Sequence, residues 1–160
     1  MSRLYKFNEL ALGARVLIVL MIVTALSFFA QSALPPEASS AESDAVSSIL
    51  ELIIPHDTSI GQFVHSNLRK IGHFCEYGLL GSEAALFVML YTKKRIAASA
   101  VAFTCAQFIA LCDETVQIFS GRGPQISDVW IDIFGFSTLF AITLCMAVAI
   151  RALTNRLRNK

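Results

Sequence analysis

Residues 16–34, VLIVLMIVTALSFFAQSAL, form an uncharged and almost wholly apolar stretch that ends at residues 35–36, a pair of prolines. A helix needs about 20 mainly apolar residues to cross the hydrocarbon core of a bilayer, and this stretch meets that length. Arg15 precedes it, and the two prolines do not fit the interior of a helix. The stretch therefore predicts a membrane-spanning helix at about residues 12–31.

The same stretch also has features of a secretory signal. Arg3 and Lys6 precede the apolar run, and residues 30–32 (Ala-Gln-Ser) are similar to a small-residue cleavage site. The apolar run is long for the hydrophobic region of a signal peptide. This length favours an uncleaved anchor, although the sequence leaves both alternatives open.

The composition of the 160-residue chain is that of a membrane protein, with 55% hydrophobic residues, 16% charged residues and a mean hydropathy of +0.61. The formal net charge is +1, and no basic face suited to nucleic acid is found in the sequence. The cysteines lie inside apolar runs without zinc-site spacing and are interpreted as core residues: Cys75, Cys105, Cys112 and Cys145. The sequence predicts no cofactor, no metal site and no nucleic-acid partner.

Three further apolar stretches are long enough to cross a bilayer, at about residues 71–91, 96–118 and 129–150. The sequence thus predicts an all-α, polytopic membrane helix bundle of about four transmembrane helices. We expect a single domain over residues 1–160, in a multi-pass protein of the cytoplasmic (inner) membrane. The oligomeric state cannot be deduced from these patterns.

Positive charge is concentrated on one side of the predicted bundle. Lys and Arg residues in short loops near helix ends favour the cytoplasmic side. Ten of the 13 lie before the first span, between the second and third, or after the fourth: Arg3, Lys6, Arg15, Lys93, Lys94, Arg95, Arg151, Arg156, Arg158 and Lys160. Both termini are therefore predicted to be cytoplasmic, and residues 32–70 are predicted to form an outer loop.

The outer loop contains a helical pattern of its own. Five apolar residues recur at helical spacing before Pro55: Val46, Ile49, Leu50, Ile53 and Ile54. The pattern predicts a short amphipathic helix, either lying at the membrane interface or packed against the bundle. His56 and His65 fall in the same loop and are expected to be solvated.

Polar and charged residues from three predicted helices fall at the outer end of the bundle. We call this set the polar cluster: His73, Glu76, Asp113, Glu114, Gln117, Arg122, Asp128 and Asp132. Charge at mid-bilayer costs about 2.5–3.5 kcal/mol, so such residues are expected to face the bundle interior. Glu83 lies about two turns deeper and is expected to be protonated or hydrogen-bonded to Gln107. Gly135 is expected to allow close approach of helices.

Ion pairs within the polar cluster could simply orient three helices. The predicted pairs are Arg122 with Asp128, and Lys70 or His73 with Asp113 or Glu114. Alternatively, Arg122 in the glycine-rich turn 120–124 could recognise a phosphate or carboxylate of a lipid or cell-wall precursor. The predicted binding residues are Lys70, His73, Tyr77, Asp113, Glu114, Gln117, Arg122, Asp128 and Asp132.

Several short motifs are specific in their combined order and spacing. They are residues 70–74 (KIGHF), Tyr77 and Gly81, residues 113–117 (DETVQ), Gly121 and Arg122, residues 127–129 (SDV) and Gly135, with Ser27 and Gln31 near the end of the first span. Together they resemble the VanZ family of small bacterial membrane proteins, over most of residues 20–145. Asp132 stands where the family more usually has asparagine.

The resemblance implies a four-helix integral membrane protein, in a family named after a member associated with low-level resistance to the glycopeptide teicoplanin. We expect an envelope protein whose polar cluster binds a membrane lipid, a lipid-linked cell-wall precursor or a protein partner. Such binding would affect susceptibility to glycopeptides. Proton or ion movement along Glu76, Glu83 and Gln107 is a further alternative, for which four short helices leave little room.

An intramembrane enzyme, a hydrolase or transferase acting on a lipid-linked substrate, is the main alternative function. Its candidate catalytic residues are His73, Glu76, Asp113, Glu114 and Asp128. His73 would act as general base or metal ligand, and Arg122 would bind phosphate. No motif in the sequence identifies a reaction class.

Overall fold

The computed structural model describes residues 11–123 and 125–158. These residues contain no strand and form six helices: α1 (Leu12–Ser32), α2 (Pro36–Glu51), α3 (Ser59–Ser66), α4 (Leu68–Tyr91), α5 (Arg95–Phe119) and α6 (Ile126–Arg158). Four of them, α1, α4, α5 and α6, are long and apolar enough to cross a membrane. The prediction of an all-α membrane bundle with four spans is therefore confirmed.

Each predicted span lies within one of the four long helices. The largest difference is at α6, whose 33 residues would extend for about 50 Å, beyond the roughly 30 Å of hydrocarbon. Its last turn carries Arg156 and Arg158, which are exposed. The orientation of the bundle stays a prediction, and Arg3, Lys6 and Lys160, which contribute to it, lie outside the described residues, as does Pro124.

The α4 helix is the central element of the bundle. Ten of its residues are buried, against four of α1 and five each of α5 and α6. The ring of Tyr77 stacks on that of Phe28 from α1, with centroids 4.8 Å apart. The outer face of α1 is exposed and apolar, with Ile22, Val23 and Leu26 54–59% exposed. Such a face suits contact with lipid chains.

Two glycines allow the backbones of α4 and α6 to touch. A Cβ added at Gly81 would overlap the carbonyl oxygen of Phe136, and one added at Gly135 would overlap the carbonyl oxygen of Phe74. Small residues at such crossings permit the close approach on which helix association in membranes depends. The close approach predicted from Gly135 is therefore confirmed. The two glycine contacts fix the position of α6 along the axis of α4.

The outer loop folds into α2 and α3, which differ from the predicted single helix. α2 begins at Pro36, in the first-turn position where proline is tolerated, and ends at Glu51. Ile53 and Ile54 therefore follow α2 rather than belong to it. None of the residues of α2 is buried, so the helix lies across the end of the bundle without entering its core.

His65 on α3 was expected to be solvated, but its side chain is buried. It joins α3 to α2 and to the turn between them. Its side chain is 3% exposed. Nε2 lies 3.0 Å from the carbonyl oxygen of Ile54, which can only accept, so Nε2 donates. In the neutral imidazole, Nδ1 then accepts from the Ser47 hydroxyl at 2.7 Å. His56, by contrast, is exposed, and its ring stacks on that of His65.

Candidate functional site

The residues of the polar cluster meet at the end of the bundle where α1 and α5 end and α4 and α6 begin. Asp113, Gln117, Asp128 and Asp132 are at most 2% exposed there. His73 and Glu114 are also buried, whereas Glu76 is half-buried. Ionisable side chains that are buried in a membrane bundle require polar partners. Most of these side chains have such partners, in hydrogen bonds and ion pairs.

α4 contacts α6 through two polar pairs, one helical turn apart. Nδ1 of His73 donates to Oδ1 of Asp132 at 3.0 Å. One turn nearer the helix end, a guanidinium nitrogen of Arg69 lies 3.4 Å from Oδ2 of Asp128. These pairs follow from the spacing of four between Arg69 and His73 and between Asp128 and Asp132, which places each pair of residues on one helix face.

Gln117 on α5 links three helices through one side-chain amide. Its nitrogen lies 3.4 Å from the Ser32 hydroxyl, 3.4 Å from Oδ2 of Asp113 and 3.2 Å from Oε1 of Glu114. Its oxygen accepts a hydrogen bond from Arg69. Because the amide both donates and accepts, Gln117 connects the carboxylates of α5 to the guanidinium of α4.

The turn after α5 brings Arg122 back toward α1. Gly121 has a φ of 75°, which favours glycine, and the N–H of Arg122 donates to the carbonyl oxygen of Gln117 at 3.0 Å. The Arg122 side chain then donates to the carbonyl oxygen of Gln31 at 3.0 Å. Burial lowers the pKa of the Arg122 guanidinium, and the nearby charge of Arg69 lowers it further. Arginine nevertheless keeps its charge in proteins.

A cavity of about 370 Å³ lies between α2 and the polar cluster. Its polar lining includes Arg69, Arg122, His73, Glu76 and Gln31. Its apolar lining comes from α1, α2 and the start of α4: Phe28, Val46, Leu50, Leu68 and Ile71. Two guanidinium groups therefore lie beside apolar side chains in this cavity, which α2 covers. The carboxylates of Glu42 and Glu76 also line it.

Two groups of side chains have the composition and spacing to hold a metal ion. One potential ligand atom from each of His73, Asp113 and Asp132 lies within 4.8 Å of the other two, and all three residues are buried. Outside the cavity, a second group of Glu51, His56 and His65 has the same spacing. Nε2 of His65, however, is engaged with the Ile54 carbonyl oxygen, which leaves that group less suited to metal binding.

A family model described as VanZ/LLP1 matches residues 16–149, which is most of the chain. The chain belongs to the VanZ/LLP1 family. The match contains every residue of the polar cluster, and it confirms the resemblance seen in the motifs. No curated protein and no solved structure matches the chain significantly. With four helices able to span a membrane, this VanZ/LLP1 protein is a multi-pass membrane protein.

The ion pairs of this VanZ/LLP1 protein differ from those predicted. Asp128 pairs with Arg69, a residue the sequence reasoning missed, rather than with Arg122. His73 pairs with Asp132 rather than with Asp113 or Glu114. Lys70, in the predicted binding set, is exposed. Adjacent helix residues point about 100° apart, so only one of two neighbouring basic residues can face α6.

Two other predicted side chains lie deeper on α4. Tyr77 is fully buried one turn below His73, where its ring stacks on Phe28. Glu83 accepts a hydrogen bond from Thr24 rather than from Gln107, which is exposed on α5. The pathway suggested by Glu76, Glu83 and Gln107 therefore lacks its third member, because Gln107 does not face the bundle interior.

Proposed function

We propose that this protein binds the phosphate-bearing headgroup of a membrane lipid or of a lipid-linked cell-wall precursor, in the cavity beneath α2. The observation that carries the proposal is the pair of guanidinium groups, Arg69 and Arg122, on one wall of a cavity of about 370 Å³. In this proposal the protein lies in the cytoplasmic membrane of a bacterium, with the cavity facing outward.

The two guanidinium groups are positioned but not saturated. Arg69 contacts Gln117 and Asp128, while its Nε is buried without a hydrogen-bond partner in the described part of the chain. Arg122 is held by the Gln31 carbonyl oxygen, and no carboxylate among the described residues lies within ion-pair distance of it. An arginine has five N–H donors in a planar fork that matches phosphate oxygens. Both contacts of Arg69 use Nη2, which leaves Nη1 for an anion, and Arg122 likewise keeps donors beyond its contact with Gln31.

The apolar wall supports an amphiphile as the ligand. Phe28, Leu68 and Ile71 come from the spanning helices, and Val46 and Leu50 come from α2. A free anion would gain nothing from this wall, whereas the first carbons of a lipid chain would be removed from water there. A ligand with a phosphate at one end and an apolar chain at the other fits both walls.

Native mass spectrometry of the protein in nanodiscs tests the binding step. We expect phosphatidylglycerol or an undecaprenyl-pyrophosphate-linked precursor, which are anionic, to be retained over phosphatidylcholine, whose choline group neutralises its phosphate. Separate nanodiscs distinguish the two sources of anionic phosphate. Arg122→Gln and Arg69→Gln should reduce retention at least about tenfold, as loss of a charge-assisted contact predicts. Arg95→Gln, at the opposite end of the bundle, is the matched control. Equal retention by Arg122→Gln and Arg95→Gln would reject the proposed site.

Glycopeptide susceptibility tests the physiological part of the proposal. Expression in a teicoplanin-sensitive bacterium should raise the concentration of teicoplanin needed to stop growth. The reason is that lipid or precursor bound to the protein is less accessible to the drug at the membrane surface. Arg122→Gln, inserted at wild-type levels, should lose this effect. An unchanged inhibitory concentration with wild-type protein in the membrane would remove the resistance role and leave headgroup binding to be judged by mass spectrometry.

A second function, an intramembrane enzyme acting on the same class of lipid, is favoured by one observation. His73 lines the cavity, and its Nδ1 is held by Asp132 at 3.0 Å, the arrangement that orients a histidine as general base. Incubation with lipid-linked precursor, followed by mass spectrometry of the products, tests it. A product formed by wild-type protein and absent with His73→Gln supports the enzyme, whereas unchanged substrate with both excludes it for that substrate.

A further inference from the structure

We infer that His73, Asp113 and Asp132 form a site for a divalent first-row metal ion, Zn²⁺ or Mn²⁺, between α4, α5 and α6. One nitrogen and two carboxylate oxygens lie within 4.8 Å of one another there, and each comes from a different helix. The site adjoins the cavity of the proposed function through His73, so it deepens that proposal. Metal binding can be tested independently of headgroup binding.

The spacing suits a metal polyhedron. Ligand atoms about 2.1 Å from one ion lie about 3.0 Å apart at right angles and about 4.2 Å apart when opposite. His73 Nδ1 and Asp132 Oδ1 are 3.0 Å apart, the length of one edge of such a polyhedron. Because a ligating nitrogen carries no proton, the ion would replace the hydrogen bond between these two atoms, with the imidazole proton on Nε2. The widest separation in the group, up to 4.8 Å, exceeds the distance between opposite ligands by at most about 0.6 Å.

Two unpaired oxygens provide an independent indication of a missing partner. Oδ1 of Asp113 and Oδ2 of Asp132 are buried and have no hydrogen-bond partner among the described residues. Their residues are 1% and 0% exposed. Buried carboxylate oxygens are normally hydrogen-bonded or coordinate a metal, so two of them unpaired in one small group point to a ligand.

The charge balance at this end of the bundle points the same way. Asp128 has a cationic partner in Arg69, whereas no ion pair within the described chain involves Asp113. Six carboxyl groups lie in the same region as two guanidinium groups: Glu42, Glu76, Asp113, Glu114, Asp128 and Asp132 against Arg69 and Arg122. A divalent ion bound to Asp113 and Asp132, with His73 as a neutral ligand, would compensate both carboxylates at once.

The donor set selects the kind of ion. Imidazole nitrogen suits zinc and other first-row ions, carboxylate oxygen suits manganese as well, and no thiolate is in the group. Three protein ligands leave at least one coordination position open, as in sites that bind a further ligand rather than sites that only stabilise a fold. A phosphate oxygen held by Arg122 across the cavity is of the chemical class that fills such a position.

The test begins with full-length protein in nanodiscs, stripped with a chelator, equilibrated with Zn²⁺ or Mn²⁺ and freed of excess metal. Elemental analysis should find about one ion per chain. Asp113→Asn and Asp132→Asn should weaken binding about tenfold or more. Glu83→Gln, a buried carboxylate of α4 outside the group, should bind as the wild type does. Wild-type protein that retains no metal overturns the inference.

A second variant separates the site from the group in the outer loop. His56→Asn removes a member of that group and should leave the metal content unchanged. Metal lost in His56→Asn but kept in Asp113→Asn would overturn the inference in favour of the loop. Zinc-edge X-ray absorption on the wild type avoids dependence on how the variants fold: one imidazole with oxygen ligands supports the site, and two imidazoles or a sulfur ligand overturn it.

Failure of the metal site and failure of headgroup binding give different results. One outcome is a protein that binds no metal but still retains the headgroup in a manner that depends on Arg69 and Arg122. This outcome overturns the metal site alone. Metal binding that depends on Asp113 and Asp132, without preference for anionic phosphate lipids over phosphatidylcholine, supports the metal site and rejects the proposed function.

Discussion

Thr24 on α1 donates a hydrogen bond of 3.0 Å to Oε1 of Glu83 on α4, within the core of the bundle. Both residues are 8% exposed, and the second oxygen of Glu83 has no partner in the described part of the chain. α1 makes further polar contacts at its end, among them the hydrogen bond that the carbonyl oxygen of Ser32 accepts from the Ser120 hydroxyl at 2.8 Å. The otherwise apolar α1 is therefore joined to the bundle at two depths.

Loss of the Thr24 hydroxyl should destabilise the protein. Thr24→Val keeps the side-chain shape but leaves the Glu83 carboxyl without its partner, at an expected cost of about 1–3 kcal/mol. Thermal unfolding in detergent, followed by size-exclusion chromatography, would show a lower midpoint. Thr24→Ser retains the hydroxyl and is the control. A midpoint lowered equally by both substitutions would assign the effect to packing instead.

The glycine contacts between α4 and α6 predict that two Gly→Ala substitutions will destabilise the protein. Gly81→Ala and Gly135→Ala each place a methyl group against a backbone carbonyl oxygen of the other helix, which cannot move as a side chain does. We expect a loss of about 1–3 kcal/mol from each, as for overpacking in other cores. Gly72→Ala is the matched control, since a Cβ there meets no atom within 4 Å. Comparable destabilisation by Gly72→Ala would contradict the close approach of the two helices.

The contact between Arg69 and Asp128 predicts a difference between two neighbouring basic residues. Asp128→Asn should destabilise the protein by less than the 3–5 kcal/mol typical of a broken, fully buried pair, roughly half, because the Arg69 side chain is 35% exposed and partly screened. Lys70→Gln should leave the unfolding midpoint unchanged, because Lys70 is exposed. The same thermal assay checks both, and a larger effect from Lys70→Gln would reverse the assignment.

The spanning helices could be predicted from the sequence because length and hydropathy are local properties. The membership of the polar cluster could also be predicted, since His73, Asp113 and Asp132 fall near those ends of the predicted spans that lie on one side of the bilayer. The partners could not. Whether Arg69 or Lys70 faces inward depends on the rotation of α4, which follows from its glycine contacts with α6 rather than from its own sequence.

The exposed position of Gln107 shows the same dependence on neighbouring helices. Ala106, Ala110, Asp113 and Gln117 are buried and lie on one face of α5, at spacings of three and four. Gln107 lies about 100° from Ala106 and so outside this face, although it shares a track with Glu114. The sequence showed that Gln107 and Glu114 lie on the same side of α5. It did not show which side of α5 packs against the other helices. One helix was predicted in the outer loop, where α2 lies, and the separate helix α3 was missed because its contacts through His65 are not local.

The orientation of the bundle gives the last prediction. Ala45 on α2 and Lys94 before α5 are both exposed, and they lie on opposite sides of the predicted membrane. In a variant whose four cysteines are replaced, Ala45→Cys should react with a membrane-impermeant maleimide added to intact cells. Lys94→Cys should react only after the membrane is opened, because Lys93, Lys94 and Arg95 favour the cytoplasmic side. Labelling of residue 94 but not of residue 45 in intact cells would invert the bundle and place the cavity on the cytoplasmic face, where it could not act on the external surface.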